Sequence, residues 1–307
     1  MSQLLDSQWV TGYKQEIERC NKTYKNFAEG AVFVEAVFDA LKSYLEKQED
    51  FTLSVEGQFP DPEELTAKMR LDQSIRFRPE VEKGHFVALF NLVCAEAVKV
   101  NPGLKQVVNQ VVAKCEEYFS VLDDKVSLET VLEFNNLLVK ETAMERDMAT
   151  FLFSIVLSSI YRRQLESISE VLRTDLYEGG DCPLCGEKPH FGMLRAEDGA
   201  KQLECWLCGT RWVHTRVKCP YCSNEEREEL GYFTVEGSDF CRVNYCRSCC
   251  RYYKIFDART IGADGDLILA IQNLASLEYD FLARKEGFTP GSGLEWVNES
   301  ELIDRKD

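Results

Sequence analysis

The chain has 307 residues, of which 45% are hydrophobic and 29% charged, and its formal net charge at pH 7 is −16. These values fit a folded protein of one to three domains and exclude a low-complexity or disordered chain. Residues 180–260 hold twelve basic and twelve acidic residues, so the excess acid lies elsewhere. We interpret it as a solvated surface, with a face that selects a basic partner as the alternative. Such a charge does not favour nucleic acid as the main partner.

The first part of the chain, residues 1–177, is predicted to form an all-α helical bundle. Helices are expected over residues 31–47, from residue 63, and over 80–100, 102–121, 127–141 and 145–176. Residues 31–47 place apolar side chains at helical spacing, and Asn101 followed by Pro102 is typical of a helix start. The predicted core of this bundle contains Phe33, Phe38, Leu41, Phe90, Val93, Val111, Phe134, Leu138, Phe151, Ile155 and Ile160.

The composition of the chain changes at Gly179 and Gly180, which follow the last of these helices. Beyond them, short strand-like runs alternate with turns and cysteines until about residue 261. The domains predicted after the bundle are a first metal module at 178–216, a second at 217–261, and a C-terminal helix and tail at 262–307. A helical pattern over 264–286, ended by Gly287, supports the last of these. Its apolar stripe consists of Leu267, Ala270, Ile271, Leu274, Leu277, Phe281 and Leu282.

Eight of the 13 cysteines form four Cys-x-x-Cys pairs, which suggest metal binding before structural disulfides. The intervals between successive pairs are 19, 10 and 23 residues. Two pairs on tight turns place four thiolates around one ion, and the short interval fits a joint between two modules. The predicted metal ligands are Cys182, Cys185, Cys205 and Cys208 at one site, and Cys219, Cys222, Cys246 and Cys249 at the other. A crossed grouping, first pair with third and second with fourth, is the alternative.

The residue after each pair affects how easily its turn forms, because a glycine there adopts left-handed backbone angles without strain. Gly186 and Gly209 follow the two pairs of the first site, whereas Ser223 and Cys250 follow those of the second. The second site is therefore expected to be looser and more open to oxidation. Cys250 is also an alternative ligand to the adjacent Cys249.

The remaining candidate residues are assigned mainly structural roles. His190 and His214 lie in the modules, but four cysteines leave no open position, and no enzyme motif is found, so the protein is not expected to be an enzyme. Cys20, Cys94 and Cys115 fall in helical segments, and Cys241 is expected to be a free thiol. The aromatic residues expected to cover the metal sites are Trp206, Trp212, Tyr232, Phe233, Tyr252 and Tyr253.

The segments CPLCGEKP at 182–189, LECWLCGTRWVHTRVKCPYC at 203–222 and YCRSCCRYYK at 245–254 resemble the FdhE family of formate dehydrogenase accessory proteins. The resemblance implies two tandem rubredoxin-like or zinc-ribbon modules after the helical bundle. It also implies a cytoplasmic, chaperone-like factor that matures the catalytic subunit of molybdenum- or tungsten-containing formate dehydrogenase. Iron is implied for some members, while the spacing alone accepts two iron or two zinc ions.

Two other functions compete with this interpretation: a rubredoxin-like redox carrier or sensor acting on the client enzyme, and a zinc-ribbon nucleic-acid-binding protein. The net charge of −16 opposes binding to nucleic acid, which is itself negatively charged. The start of the chain has no basic region followed by an apolar one, and the longest apolar stretch, residues 149–161, is too short to span a membrane. We therefore expect a cytoplasmic location and no membrane insertion; the oligomeric state is left open.

Overall fold

The computed structural model describes residues 12–47, 61–235, 238–261 and 267–291. The helices of the first part are α1 (Tyr13–Thr23), α2 (Ala28–Glu46), α3 (Pro62–Arg70), α4 (Lys83–Val100), α5 (Lys105–Ser120), α6 (Leu128–Glu141) and α7 (Arg146–Val171). The predicted helical bundle is confirmed. None of the helices in the described ranges has the length and apolar character needed to cross a membrane.

Polar side chains set where several of these helices begin. The Asp61 carboxylate accepts hydrogen bonds from the backbone N–H groups of Glu63 and Glu64 and so caps α3. Asn101 accepts from the N–H of Gly103, but it opens a short 3₁₀ turn, so α5 begins three residues later than predicted. Likewise α4 begins late, because strand β1 (Val81–Glu82) pairs with β2 (Lys125–Val126).

The centre of the bundle is a cluster of phenylalanine rings. Phe90 and Phe153 have ring centroids 5.0 Å apart, and Phe86 lies 5.6 Å from Phe153. Eight of the eleven predicted core residues are buried, whereas Phe33, Phe151 and Ile155 are only partly buried. Two of these exceptions lie in α7, whose most buried face carries Leu152, Phe153, Val156, Leu157 and Ile160. Phe151 and Ile155 lie at the edge of this face, rotated from its centre by about one residue.

The second part of the chain is built on a mixed sheet. Its strands are β3 (Pro189–Leu194), β4 (Lys201–Cys205), β5 (Arg211–Val213), β6 (Leu230–Phe233), β7 (Cys241–Cys246), β8 (Arg251–Asp257) and β9 (Thr289–Pro290). The order is β5-β4-β3-β8-β7-β6, with β9 added on β8. Each module supplies three antiparallel strands, and the parallel pair β3–β8 joins the modules edge to edge. The predicted fold class is confirmed; the boundaries at residues 177, 216 and 261 stay predictions.

The C-terminal helical segment differs from the single helix predicted over 264–286. It contains α8 (Ala258–Ile261), α9 (Leu269–Ala275) and α10 (Leu277–Lys285), with a break at Ser276. The hydroxyl of Ser276 donates to the carbonyl of Gln272, and the break turns Leu277 and Phe281 outward, 61% and 70% exposed. The predicted apolar stripe is therefore wrong at these two positions. Residues 262–266 and the predicted tail after 291 lie outside the described residues.

Candidate metal centres

The first four-cysteine group, named cage one, consists of Cys182, Cys185, Cys205 and Cys208, all buried. Its four sulfur atoms lie within 4.8 Å of one another. The Sγ–Sγ distances from Cys182 to Cys208, from Cys185 to Cys205 and from Cys185 to Cys208 are each 3.5 Å. The structure thus has the sequential grouping, and the crossed grouping is wrong.

The sulfur spacing fits one metal ion and not disulfides. A tetrahedral site with metal–sulfur bonds of about 2.3 Å has sulfur–sulfur edges of about 3.8 Å, whereas a disulfide requires about 2.0 Å. The 3.5 Å distances in cage one and the 3.7 Å distances in the second group are close to the former. Four thiolates at this spacing can hold iron or zinc; the donor set does not select between them.

Backbone hydrogen bonds shape the turns that carry the sulfurs. In the turns that begin at Cys182, Cys205 and Cys219, the N–H of the first cysteine donates to the carbonyl five residues later. The N–H four residues after that cysteine donates back to the cysteine's own carbonyl. In cage one the fifth residues are Gly186 and Gly209, with φ of +79° and +73°. A Cβ on Gly209 would lie 2.5 Å from Nη1 of Arg162, so a larger residue there would adopt a left-handed conformation and also displace the Arg162 side chain.

The second group, named cage two, consists of Cys219, Cys222, Cys246 and Cys249. Cys219 and Cys249, and Cys222 and Cys246, have Sγ–Sγ distances of 3.7 Å. Cys222 is exposed and Cys249 half-buried, in contrast to the fully buried cage one. Cage two is therefore the one that solvent and oxidants reach.

The turns of cage two use left-handed residues that are not glycine. Ser223 has φ of +61° and Cys250 has φ of +54°, as the sequence comparison with Gly186 and Gly209 predicted. Such angles cost L-residues roughly 1–2 kcal/mol each. Cys250 is exposed and its thiol donates to the carbonyl of Arg247, so it lies outside the cage and is not the alternative ligand.

Cage two also contains a thiol that is prepared for ionisation. The hydrogen bond with Cys249 lowers the pKa of Cys219, and the N–H of Tyr221 donates to the Cys219 sulfur at 3.4 Å. A thiolate is the form that binds metal. In contrast, burial raises the pKa of the uninvolved thiols Cys20, Cys94, Cys115 and Cys241, which lie in the apolar core.

An extended segment of the helical part, residues 74–78, holds the first turn of cage one. The N–H groups of Ile75 and Phe77 donate to the carbonyls of Pro183 and Leu184 at 2.8 and 2.9 Å. The side chains of Ser74 and Arg78 donate to the carbonyls of Cys182 and Cys185. Sequence reasoning missed this segment, since it has no helical or strand periodicity.

A buried ion triad fastens the sheet to the long helix α7. Glu204, on β4 beside the cage ligand Cys205, accepts from Arg162 of α7 and from Arg211 of β5, both at 2.7 Å. Its side chain is 2% exposed. Cage one is therefore attached to the helical part by two independent sets of polar contacts.

The histidines of the modules lie outside the cages, and most of the aromatic residues expected to cover the cages are buried. His214 Nδ1 lies 3.2 Å from the carbonyl of Glu178, and burial lowers its pKa to about 4, so it is neutral and donates there. Neither His214 nor His190 belongs to the two cages in the described part of the chain. Trp206, Trp212, Tyr252 and Tyr253 are buried. Phe233 is only partly buried and Tyr232 is exposed, so the prediction that Tyr232 covers a cage is wrong.

The helical bundle, the attached sheet and the two four-cysteine cages together define a class of metal-binding protein. Residues 181–216, which contain all of cage one, match the family model described as the central domain of FdhE. The chain is 36% identical over 110 residues to an FdhE homologue of Aquifex aeolicus, covering 35% of this chain and 38% of that protein. It is 31% identical over 156 residues to an FdhE homologue of Cronobacter sakazakii, covering 49% and 48%.

The matched segments thus span less than half the length of these curated relatives. The crystal structure of the FdhE protein from Pseudomonas aeruginosa is similar over nearly the full length, with a TM-score of 0.57, 17% identity, and coverage of 97% of this chain and 98% of that one. The resemblance noted in the sequence is confirmed: residues 181–216 match the FdhE central domain, and the fold is similar to that of an FdhE protein.

Proposed function

We propose that this protein is an accessory factor that matures the catalytic subunit of a molybdenum- or tungsten-containing formate dehydrogenase in the cytoplasm. The observation that carries the proposal is the pair of four-cysteine cages on an FdhE fold, with cage one inside the matched FdhE central domain. The partner is then the formate dehydrogenase catalytic subunit, and neither nucleic acid nor a membrane is part of the function.

The arrangement of the cages supports a binding role and not catalysis. Each cage offers four sulfur ligands, so a tetrahedral ion would have no open position for a substrate. A bound iron or zinc ion supplies cross-linking of the turns, and iron also allows a one-electron change. The protein's own residues form the turns, hold the thiolates and attach cage one to the helical part.

The test is maturation in cells that lack the chromosomal copy of this protein's gene. Cys182→Ser and Cys205→Ser should each remove one metal ion per chain and reduce formate oxidation, while the tagged wild-type protein should co-purify with the catalytic subunit. Cys20→Ser is the matched control, because Cys20 is buried in the helical core and distant in sequence from both cages. Full formate oxidation without the protein, or no co-purification by wild type, would contradict the proposal.

A redox carrier or sensor acting on the client enzyme is the second candidate, and the exposure of Cys222 in cage two favours it. In this case the anaerobically purified protein should absorb visible light when oxidised, as ferric thiolate sites do and zinc sites do not. Cys246→Ser should then abolish maturation while client binding by the helical part is retained. Full maturation by a zinc-only protein would exclude the redox role and leave the cages as scaffolding.

A further inference from the structure

Four cationic side chains gather around one face of the sheet, away from α9 and α10; we name Lys201, Arg216, Arg242 and Arg259 the basic basin. The strand registers Lys201↔Leu194, Leu194↔Asp257 and Arg242↔Ile255 place Lys201 and Arg242 on the same face of the sheet. The opposite face carries Lys254, which contacts the carbonyls of Asn273 and Ser276 at the end of α9.

Lys201 forms the floor of this basin. It is only 1% exposed, and its ammonium donates to the hydroxyl of Tyr253, 3.2 Å away and two strands across the sheet. The amide of Asn244 donates to the same hydroxyl at 3.4 Å. Tyr253 is therefore the point at which polar groups from β4 and β7 converge.

Three arginines form the rim. Arg216 donates to the carbonyl of Gly199 in the turn just before Lys201. A Cβ on Gly199 would lie 3.2 Å from a guanidinium nitrogen of Arg216 and 3.2 Å from one of Arg259, so the two guanidinium groups meet at this turn. Arg242 completes the rim from β7, with its guanidinium 5.0 Å from the ring centroid of Tyr232.

The negative charge near the basin does not balance these cations. Asp257 is engaged by Arg259 in an ion pair, and its carboxylate also acts electrostatically on Arg242. Within the described residues, Lys201 and Arg242 have no carboxylate partner, and the Nε of Arg242 is buried without a hydrogen-bond acceptor. The sulfur of Cys219 acts on Lys201 electrostatically, but its charge is shared with any ion in cage two. Burying a cation without a neighbouring anion costs free energy. The basin therefore lacks negative charge.

The lack of negative charge in the basin affects the pKa of Lys201. Burial, followed by the charges of Arg242 and Arg216, lowers the pKa of Lys201 to about 7. Burial also lowers the pKa of Arg242. A bound anion would favour the charged forms of both side chains.

We propose that the basic basin is a binding site for a phosphate group, with Lys201 and Arg242 as its principal donors and Arg216 at its entrance. Three cations that form no ion pair with a carboxylate of the described residues match a dianion better than a single carboxylate, and guanidinium groups donate to phosphate oxygens in pairs. Such a group is either free inorganic phosphate or the phosphate of a small organic molecule. The exposed ring of Tyr232, next to Arg242, offers an aromatic surface for the second kind. The site is independent of the client proposed above.

The experiment uses full-length, zinc-loaded protein titrated with inorganic phosphate or adenosine monophosphate against chloride at equal ionic strength. Thermal unfolding and calorimetric titration give the response. We expect saturable binding and a rise in Tm for wild type. Lys201→Met and Arg242→Gln should weaken the affinity at least about tenfold, the loss of one charge-assisted contact. Arg173→Gln is the control, since Arg173 is exposed and pairs with Asp175 elsewhere.

Each outcome decides the proposal. Binding of inorganic phosphate that is lost in both variants supports a free oxyanion, and binding of adenosine monophosphate alone supports a phosphorylated organic ligand. In the absence of anion, Lys201→Met should have a higher Tm than wild type, because it removes an unpaired buried charge. If either variant fails to fold, Arg216→Gln, which changes an exposed residue, takes its place. A response equal to that in chloride, or one retained in the variants, would overturn the proposal.

Discussion

At the residue scale, the two cages differ most in the residue that follows each cysteine pair. Gly186 and Gly209 adopt positive φ without strain, whereas Ser223 and Cys250 adopt the same region with a side chain. The same residues differ in surroundings, since Cys250 is exposed and Gly209 lies beneath Arg162. Cage one is thus unstrained and enclosed, and cage two strained and open.

Replacing Ser223 by glycine should therefore strengthen cage two. The expected gain in the free energy of unfolding of the metal-loaded protein is up to about 1 kcal/mol, because relief of the left-handed strain exceeds the entropy that glycine adds to the unfolded chain. Metal release from cage two to a chromogenic chelator should slow accordingly. Gly209→Ala should act in the opposite direction at cage one; faster release from Ser223→Gly would show that turn strain does not control the site.

Lys201 should make the stability of the protein depend on pH. Its pKa in the folded state is about 7, whereas an unfolded lysine titrates near about 10.4. Between these values the unfolded chain binds the extra proton, so the free energy of unfolding should rise with pH, by about 2 kcal/mol from pH 7 to 9. Below pH 7 the folded and unfolded states both bind the proton, so the gain in stability is absent and the cost of burying the charged lysine is complete.

The measurement is denaturant unfolding of the zinc-loaded protein at several pH values in chloride, without phosphate. In Lys201→Met the same rise should be absent, so the difference between the two proteins isolates the lysine from the titration of other groups. Parallel pH curves for wild type and Lys201→Met would contradict the low pKa of Lys201.

At the scale of elements, the contact between α7 and β4 depends on one buried carboxylate held by two arginines. Glu204 joins Arg162 and Arg211, with all three side chains less than a quarter exposed. Removing one member of such a group leaves charge uncompensated in the interior, which costs far more than breaking an exposed pair. The triad therefore stabilises the attachment of the sheet to α7.

Arg162→Leu should lower the free energy of unfolding by about 3 kcal/mol. Arg284→Leu is the control, because Arg284 of α10 pairs with Asp147 of α7 at 3.3 Å in an exposed setting. The loss there should stay below about 1 kcal/mol. Equilibrium denaturation of both metal-loaded variants gives the comparison. Equal losses in the two variants would mean that the triad adds nothing beyond a surface ion pair.

At the scale of the whole molecule, the apolar core runs without interruption from the helical bundle into the sheet. The ends of the described chain also meet: Gln272 of α9 donates to Glu16 of α1 and accepts from the hydroxyl of Tyr24. Cage one is buried and held by residues 74–78, while cage two is partly exposed. Loss of metal from the two cages should therefore have different structural consequences.

A chelator should remove metal in two steps, first from cage two and more slowly from cage one, because Cys222 is exposed and all four cysteines of cage one are buried. Hydrogen exchange should show protection lost first near residues 219–250. Only in the second step should it be lost in residues 74–78, whose N–H groups bind the first turn of cage one. Helices α4 to α7 should stay protected. Release of both ions in one step would contradict the independence of the cages.

The sequence by itself determined the local features of this protein. Cysteine spacing predicted which sulfurs come together, because each pair and its turn are set by residues close in the chain. Helical periodicity predicted the bundle for the same reason. That metal occupies the cages stays a prediction that the sulfur spacing fits.

Only the tertiary structure decided how these parts are joined. The parallel pairing of β3 with β8, the hold of residues 74–78 on cage one, and the meeting of Lys201 with Tyr253 all connect residues more than fifty apart in the chain. No local pattern encodes such contacts, because they depend on which surfaces remain to be buried once the elements have formed. The break at Ser276 has the same origin, since the carbonyls at the end of α9 turn toward the buried ammonium of Lys254.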